Sequence, residues 1–343
     1  MPYSRLFLLV FMMAVLLVSC SQTTSTPLAT PTPTLSPQAR AYLTAVLDIM
    51  QKHSVNRKKI NWTTLRQETF GYANGAKTPA DTYLAIQYAL VSLGDHHSSF
   101  LDPQAAKQWE AAKITPDEQP QGQLLAHGIG YLFLPHFLGR QQQDEKQYAL
   151  LAQNVIRQAD QAGVCGWIVD LRNNVGGNMW PMLDGVGPIL GEGIAGSFVY
   201  PDGVKQPFAY RDGQAQLAGS TWIRVENPYH LKHPLPPIAV LTSPFTASAG
   251  EAIVVAFHGR PHTRSFGKPT AGVPTSNEGF TLSDGAFLIL TVALDADRTG
   301  HTYDSAIAPD QTVPVDMSQI GRPGDLGREV ATTWLHSQEG CQG

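Results

Sequence analysis

The chain has 343 residues, a formal net charge of −4 and an apolar share ordinary for a globular protein, so a sizeable core is possible. The weak acidic balance and the lack of basic runs give no footing for nucleic acid or an anionic membrane surface as a charge-read partner. Three cysteines are too few for a disulfide framework. Cys165, just before an apolar run, reads as a buried thiol and Cys341 as an exposed one, a bridge between them being the less favoured alternative.

Arg5 is followed by an uncharged apolar run, Leu6 to Val18, too short to span a bilayer with margin. The run closes on Leu17-Val18-Ser19-Cys20, which resembles a bacterial lipobox, so residues 1–20 are expected to be a lipoprotein signal peptide with Cys20 lipidated. Acyl chains contribute about 0.8 kcal/mol per buried CH₂, enough for a multiply acylated cysteine to anchor stably. Residues 21–37 are Ser/Thr/Pro-rich and cannot bury enough surface to fold, so they read as a tether.

Folded structure is expected from Gln38. Apolar spacing predicts helices over Gln38–Lys52 and Trp62–Tyr72, and a third with Thr78 as N-cap and Pro79 at its first position, ending near Gly94. These form a helical N-terminal region, 38–112. In the remainder, 113–335, strand-like runs at Ile129–Leu134, Gly166–Leu171, Pro237–Thr242 and Ala286–Val292 alternate with helices at Tyr148–Ala162 and Ala249–Phe257. That alternation predicts a mixed α/β fold with a partly parallel sheet covered by helices.

Three stretches have chemical potential. Ser248, in Thr246-Ala247-Ser248-Ala249-Gly250-Glu251, stands at the mouth of an apolar helix where free N–H groups converge. Read alone, it is an N-cap with Glu251 completing a capping box. Asp170-Leu171-Arg172-Asn173-Asn174-Val175-Gly176-Gly177 is a Gly-rich turn at the C-terminal end of a buried strand, where open α/β sheets place ligands. His97, after Leu93-Gly94, is a candidate general base, although most of the eleven histidines must be surface residues. The chain has no HExxH, CxxC or HxH, so neither a metal nor another cofactor is expected.

In this order the stretches resemble the C-terminal processing (tail-specific) serine peptidase family, which includes the tricorn core and the repeats of interphotoreceptor retinoid-binding protein. Asp95-His96-His97-Ser98 resembles its D-x-H-S motif and Asp170–Gly177 its DLRxNxGG. Thr246–Glu251 resembles its S/T-A-S-A-x-E, and Ile307-Ala308-Pro309-Asp310 its late I-x-P-D. The resemblance implies a ClpP/crotonase-like core, Ser248 as nucleophile, and an oxyanion hole from the amides of Gly176 or Gly177 and of Ala249. The lysine used as base in one branch would fall at Val273, and Lys268 lies short of it. His97 therefore groups the chain with the tricorn-like branch. The third member of the machinery is open: Asp304 is the first choice and Asp297 the second, though Asp297 also suits a structural turn. Glu251 is expected at least to support the helix start. Lys107–Gly130 is too short for a PDZ module.

The function expected is an extracytoplasmic, lipid-anchored serine peptidase acting on exported proteins or peptides, touching the membrane only through its anchor. The alternatives are a non-catalytic binder on the same fold and an esterase or amidase.

Overall fold

The computed structural model describes residues 34–342. The apolar leader, Cys20 and most of the tether lie outside the described residues. Three helices come first: α1 (Pro37–His53), α2 (Trp62–Tyr72) and α3 (Tyr83–Leu93). Ser36 caps α1 by accepting the Ala39 N–H, and one face of α1, including Leu43, Val46, Leu47 and Met50, is buried. The α3 start differs from expectation. The Thr78 hydroxyl donates to Asp81 Oδ2 (3.0 Å), which also accepts the Lys77 and Thr78 amides. A carboxylate is the stronger acceptor, so Asp81 organises this turn and residues 80–82 form a 3₁₀ segment before α3. Gly94 ends α3 at φ 68°, a left-handed conformation that suits glycine.

The chain continues through β1 (Ser99–Leu101), α4 (Pro103–Glu110), β2 (Gln121–Leu125), β3 (Ile129–Phe133), α5 (Gln142–Gln161), β4 (Gly166–Asp170) and α6 (Met179–Leu190). A meander follows: β5 (Gly193–Val199), β6 (Lys205–Arg211), β7 (Gln214–Leu217) and β8 (Ser220–Arg224). Then come β9 (Ile238–Thr242), α7 (Ala249–Phe257), β10 (Thr263–Gly267), β11 (Thr275–Thr281), β12 (Phe287–Asp297), β13 (Thr302–Tyr303), β14 (Gln311–Thr312) and α8 (Leu326–His336).

The strands make two sheets. One has the order β14-β10-β9-β4-β3-β2 and is parallel except for the β2–β3 pair. This is the partly parallel sheet the sequence predicts. The other, β1-β12-β5-β6-β7-β8 with β11 and β13 also on β12, is antiparallel and was not foreseen. Helix α7 is buried at every position, which explains why it is apolar all round. Helices α1–α3 share one buried apolar cluster with α5–α7 and the antiparallel sheet.

Cys165 and Cys341 form a disulfide, and Cys341 is 5% exposed rather than open to solvent. The expected free thiols are therefore corrected: α8 folds back over β4, β9 and β10 and carries the C-terminal segment to the start of β4. Near the other end of β4, buried Arg172 pairs with Asp170 (2.6 Å) and Asp325 (2.7 Å). Asp325 also caps α8 through the Arg328 amide. Asp325→Ala would remove the cap and leave the guanidinium short of a partner. The expected loss is about 3–5 kcal/mol in unfolding free energy by urea titration.

Candidate active site

The loops leaving the C-terminal ends of three adjacent parallel strands converge. After β4 comes the Asn174–Gly177 turn, after β9 the approach to Ser248, and after β10 the segment Thr270–Thr275. This is the edge where such sheets bind ligands.

Ser248 sits between β9 and α7 at φ 52°, ψ −117°. That is a strained conformation for a residue with a side chain, costing on the order of 1–3 kcal/mol, and it resembles the sharp strand-to-helix turn that presents a nucleophilic serine. Three contacts hold the turn. Thr246 Oγ1 donates to the Leu171 carbonyl (2.9 Å), the Ala247 amide donates to the Asn174 carbonyl (2.9 Å), and Gly250 lies so close to Asn174 that a Cβ would stand 2.6 Å from its carbonyl oxygen. Gly176 faces the serine directly, and a Cβ there would meet Ser248 Cβ at 2.8 Å.

The expected capping box is present, and in it Ser248 N–H donates to Glu251 Oε2 (2.9 Å). Glu251 does more than support the helix start. Its Oε2 also accepts the Val273 amide (3.0 Å), and its Oε1 accepts Thr270 Oγ1 (2.6 Å) and the Gly272 amide (2.9 Å). Burial pushes the Glu251 pKa up, and these four donors pull it back.

Two residues beyond Val273, Thr275 Oγ1 lies 2.7 Å from His97 Nδ1. The His97 loop is built on Asp95, whose Oδ1 accepts the His97 and Ser98 amides while its Oδ2 accepts Ser98 Oγ. Ser98 Oγ in turn accepts the Thr291 amide and docks the loop on β12. His96 is exposed and His97 half-buried. Burial lowers the His97 pKa, partly opposed by Asp95. His97 and Ser248 are not hydrogen-bonded to each other; they are related through Thr275, which lines the same cavity as Ser248.

The candidate oxyanion donors separate. The Gly176 amide is taken by Asn174 Oδ1 (3.0 Å), which corrects its place among the available donors. The amides of Gly177 and Ala249 have no acceptor among the described residues.

The structure does not bring Asp304 to this site. It is exposed, its side-chain partner is Ser305 (3.3 Å), and it lines a cavity with His258, His301 and Tyr303. Asp297 accepts the amides of Thr299 and His301 and the hydroxyls of Thr299 and Tyr303, closing the β12–β13 turn. Asp310 of the late motif ties β10 through Ser265. Lys268 lines neither of the cavities that contain Ser248.

Those two cavities, about 550 and 450 Å³, also share Arg140, Gly177, Asn178, Asn277 and Glu278, and so form one cleft running past Ser248. Thr275, Glu278 and the buried Asp295 in the cleft were not singled out from sequence. Arg140 stacks on Trp109, its guanidinium carbon 3.2 Å from the ring centroid.

The chain matches the family model described as peptidase family S41 over residues 128–313. It is 29% identical over 277 residues to a nisin-resistance protein of Lactococcus lactis subsp. lactis, covering 80% of this chain and 83% of that one. A carboxyl-terminal-processing protease of Synechocystis sp. is 26% identical over 211 residues, 60% of this chain and 44% of that protease's length. The structure of a lipoprotein from Streptococcus agalactiae superposes with a TM-score of 0.72 at 26% identity, covering 88% of this chain and 98% of the other. The chain belongs to peptidase family S41 and is a serine-type peptidase.

Proposed function

We propose that this peptidase hydrolyses exported peptides through an acyl-enzyme on Ser248, with His97 as general base, outside the cytoplasm and tethered by a lipidated Cys20. The observation that carries this reading is the convergence of a strained Ser248, two amides with no acceptor among the described residues and Thr275 on one cleft, with His97 bonded to Thr275. With His97 Nδ1–H donating to Thr275 Oγ1, Nε2 carries the lone pair. It takes the Ser248 proton as Oγ attacks the peptide carbonyl. The oxyanion is held by the Gly177 and Ala249 amides, each such donor being worth on the order of 10²–10³ in rate. The protonated His97 then gives its proton to the leaving amine as the C–N bond breaks, and water releases the acyl group by the same steps in reverse.

Thr275 is a positioning residue here, in the place where the family resemblance suggests a further side chain behind the histidine. The disulfide between Cys165 and Cys341 supports an oxidising compartment. The cysteine-ending leader and the likeness to a lipoprotein support the anchor. Substrate selection proceeds without a PDZ module, through the cleft itself. Nisin, the compound in one relative's name, is the first peptide to test.

An active-site fluorophosphonate is expected to label the wild-type protein and not Ser248→Ala; an unlabelled wild type would favour a non-catalytic binder. Comparing turnover of peptides with that of a nitrophenyl ester separates a peptidase from an esterase. The lowered pKa of His97 places the acid limb of kcat/KM below the ordinary histidine value of about 6.5, with activity present above that limb and lost as pH falls through it. A limb at or above that value would contradict the burial argument. Thr275→Val removes the hydroxyl that holds the imidazole and is expected to lower kcat/KM about 10–100-fold, the scale of one hydrogen bond to a charged group. Thr275→Ser should restore most of it; equal loss in both would indicate a packing role only.

A further inference from the structure

The strand β12 carries a carboxylate that the reaction as described does not use. Asp295 is 1% exposed, and neither of its oxygens has a hydrogen-bond partner among the described residues. It nevertheless lines the larger of the two cavities, together with Ser248, Ala249 and Ala252 of the nucleophile turn and α7. Across the ladder it pairs with Phe198 of β5, which lines the same cavity. Another buried carboxylate, Asp184, lines neither cavity.

An unpaired buried carboxylate is costly to ionise, and the cost is recovered when a cation is brought to it. Among the described residues none is paired with it. The cavity lining holds a single cation, Arg140, whose guanidinium is stacked on Trp109 in the adjoining cavity. The walls suit a cation on a long apolar stem. Trp180 and Trp222 stack with centroids 4.9 Å apart, and Phe198 and Tyr200 add further aromatic faces. Glu278 adds a second carboxylate at the junction with the other cavity. Burial pushes the Asp295 pKa up to about 8, and Glu251 on α7 adds to the rise.

We infer that Asp295 is a specificity-determining residue, whose carboxylate receives the ammonium or guanidinium of a substrate lysine or arginine lying beside the scissile bond. The inference rests on Ser248 being the nucleophile, because that places the cavity next to the cleaved bond.

The test is a comparison of matched peptides. A peptide library digested by the wild-type protein is expected to show lysine or arginine enriched at one position within two residues of the cleaved bond. On a matched pair differing only by lysine against norleucine at that position, wild type is expected to favour lysine in kcat/KM by at least tenfold. Asp295→Asn should collapse that ratio toward one, the ratio serving as its own control for loss of folded enzyme. A wild type indifferent to the charge, or an unchanged ratio in Asp295→Asn, would show that Asp295 is a neutral structural acid and overturn the inference. Should the variant fail to fold, wild type alone decides: benzamidine should slow labelling of Ser248 by the fluorophosphonate where neutral benzamide does not, and equal effects would overturn it. Labelling separates the two levels of argument. Without any wild-type labelling the nucleophile reading fails, and with labelling but no preference for a cation only this inference fails.

Discussion

A buried carboxylate holds this site together. Glu251 accepts the Ser248 amide on one oxygen and, with its remaining capacity, fastens Thr270, Gly272 and Val273. The nucleophile turn and the loop after β10 are thereby fixed to one group. From Val273 the chain reaches Thr275 in two residues, and Thr275 meets the imidazole of His97. The proposed nucleophile and base are far apart in the sequence, and this short path is what keeps them in register. Burial raises the Glu251 pKa and its four donors oppose the rise, so burial alone does not set its state.

The same node explains why strain at Ser248 persists. A positive φ with a strongly negative ψ, in a residue with a side chain, survives only where neighbours over-determine it. Here the amide is bonded to Glu251, the preceding residue to Asn174, and the following glycine is pressed onto Asn174. Asn174 also spends its side-chain oxygen on the Gly176 amide. That contact shapes the glycine turn and leaves Gly177 as the member of the pair with a free donor. The division of labour between two adjacent glycines is thus set by one asparagine.

The readable parts of the site were those that repeat a local pattern. Ser248, the Gly176-Gly177 turn and His97 lie in short motifs, and the helices around them follow apolar spacing closely, α7 to the residue. What the sequence did not disclose depends on distance. The role of Glu251 was visible only as an i, i+3 relation to Ser248, because its other partners lie some twenty residues on, at Thr270, Gly272 and Val273. Thr275 is one of many threonines until the fold puts it on His97. The Cys165–Cys341 bridge spans 176 residues of chain and has no local signature. The antiparallel meander does have one: Asp212-Gly213 between β6 and β7, both at positive φ, is a two-residue hairpin turn. Asp295 was hidden differently. The strand was expected to stop at Val292, but it runs on to Asp297, and an acid inside a buried strand is the signal that the longer strand would have exposed.

In the proposed mechanism Ser248, His97, Gly177 and Ala249 form one reacting centre. A crystal structure of the protein with a peptide boronate or aldehyde bound covalently tests this most directly. It should show the adduct on Ser248 Oγ, its oxygen within hydrogen-bonding distance of the Gly177 and Ala249 amides, and His97 Nε2 within reach of Oγ while Nδ1 stays on Thr275. An adduct on another residue, an oxygen bound by the Gly176 amide, or a His97 ring turned away from Ser248 would contradict it.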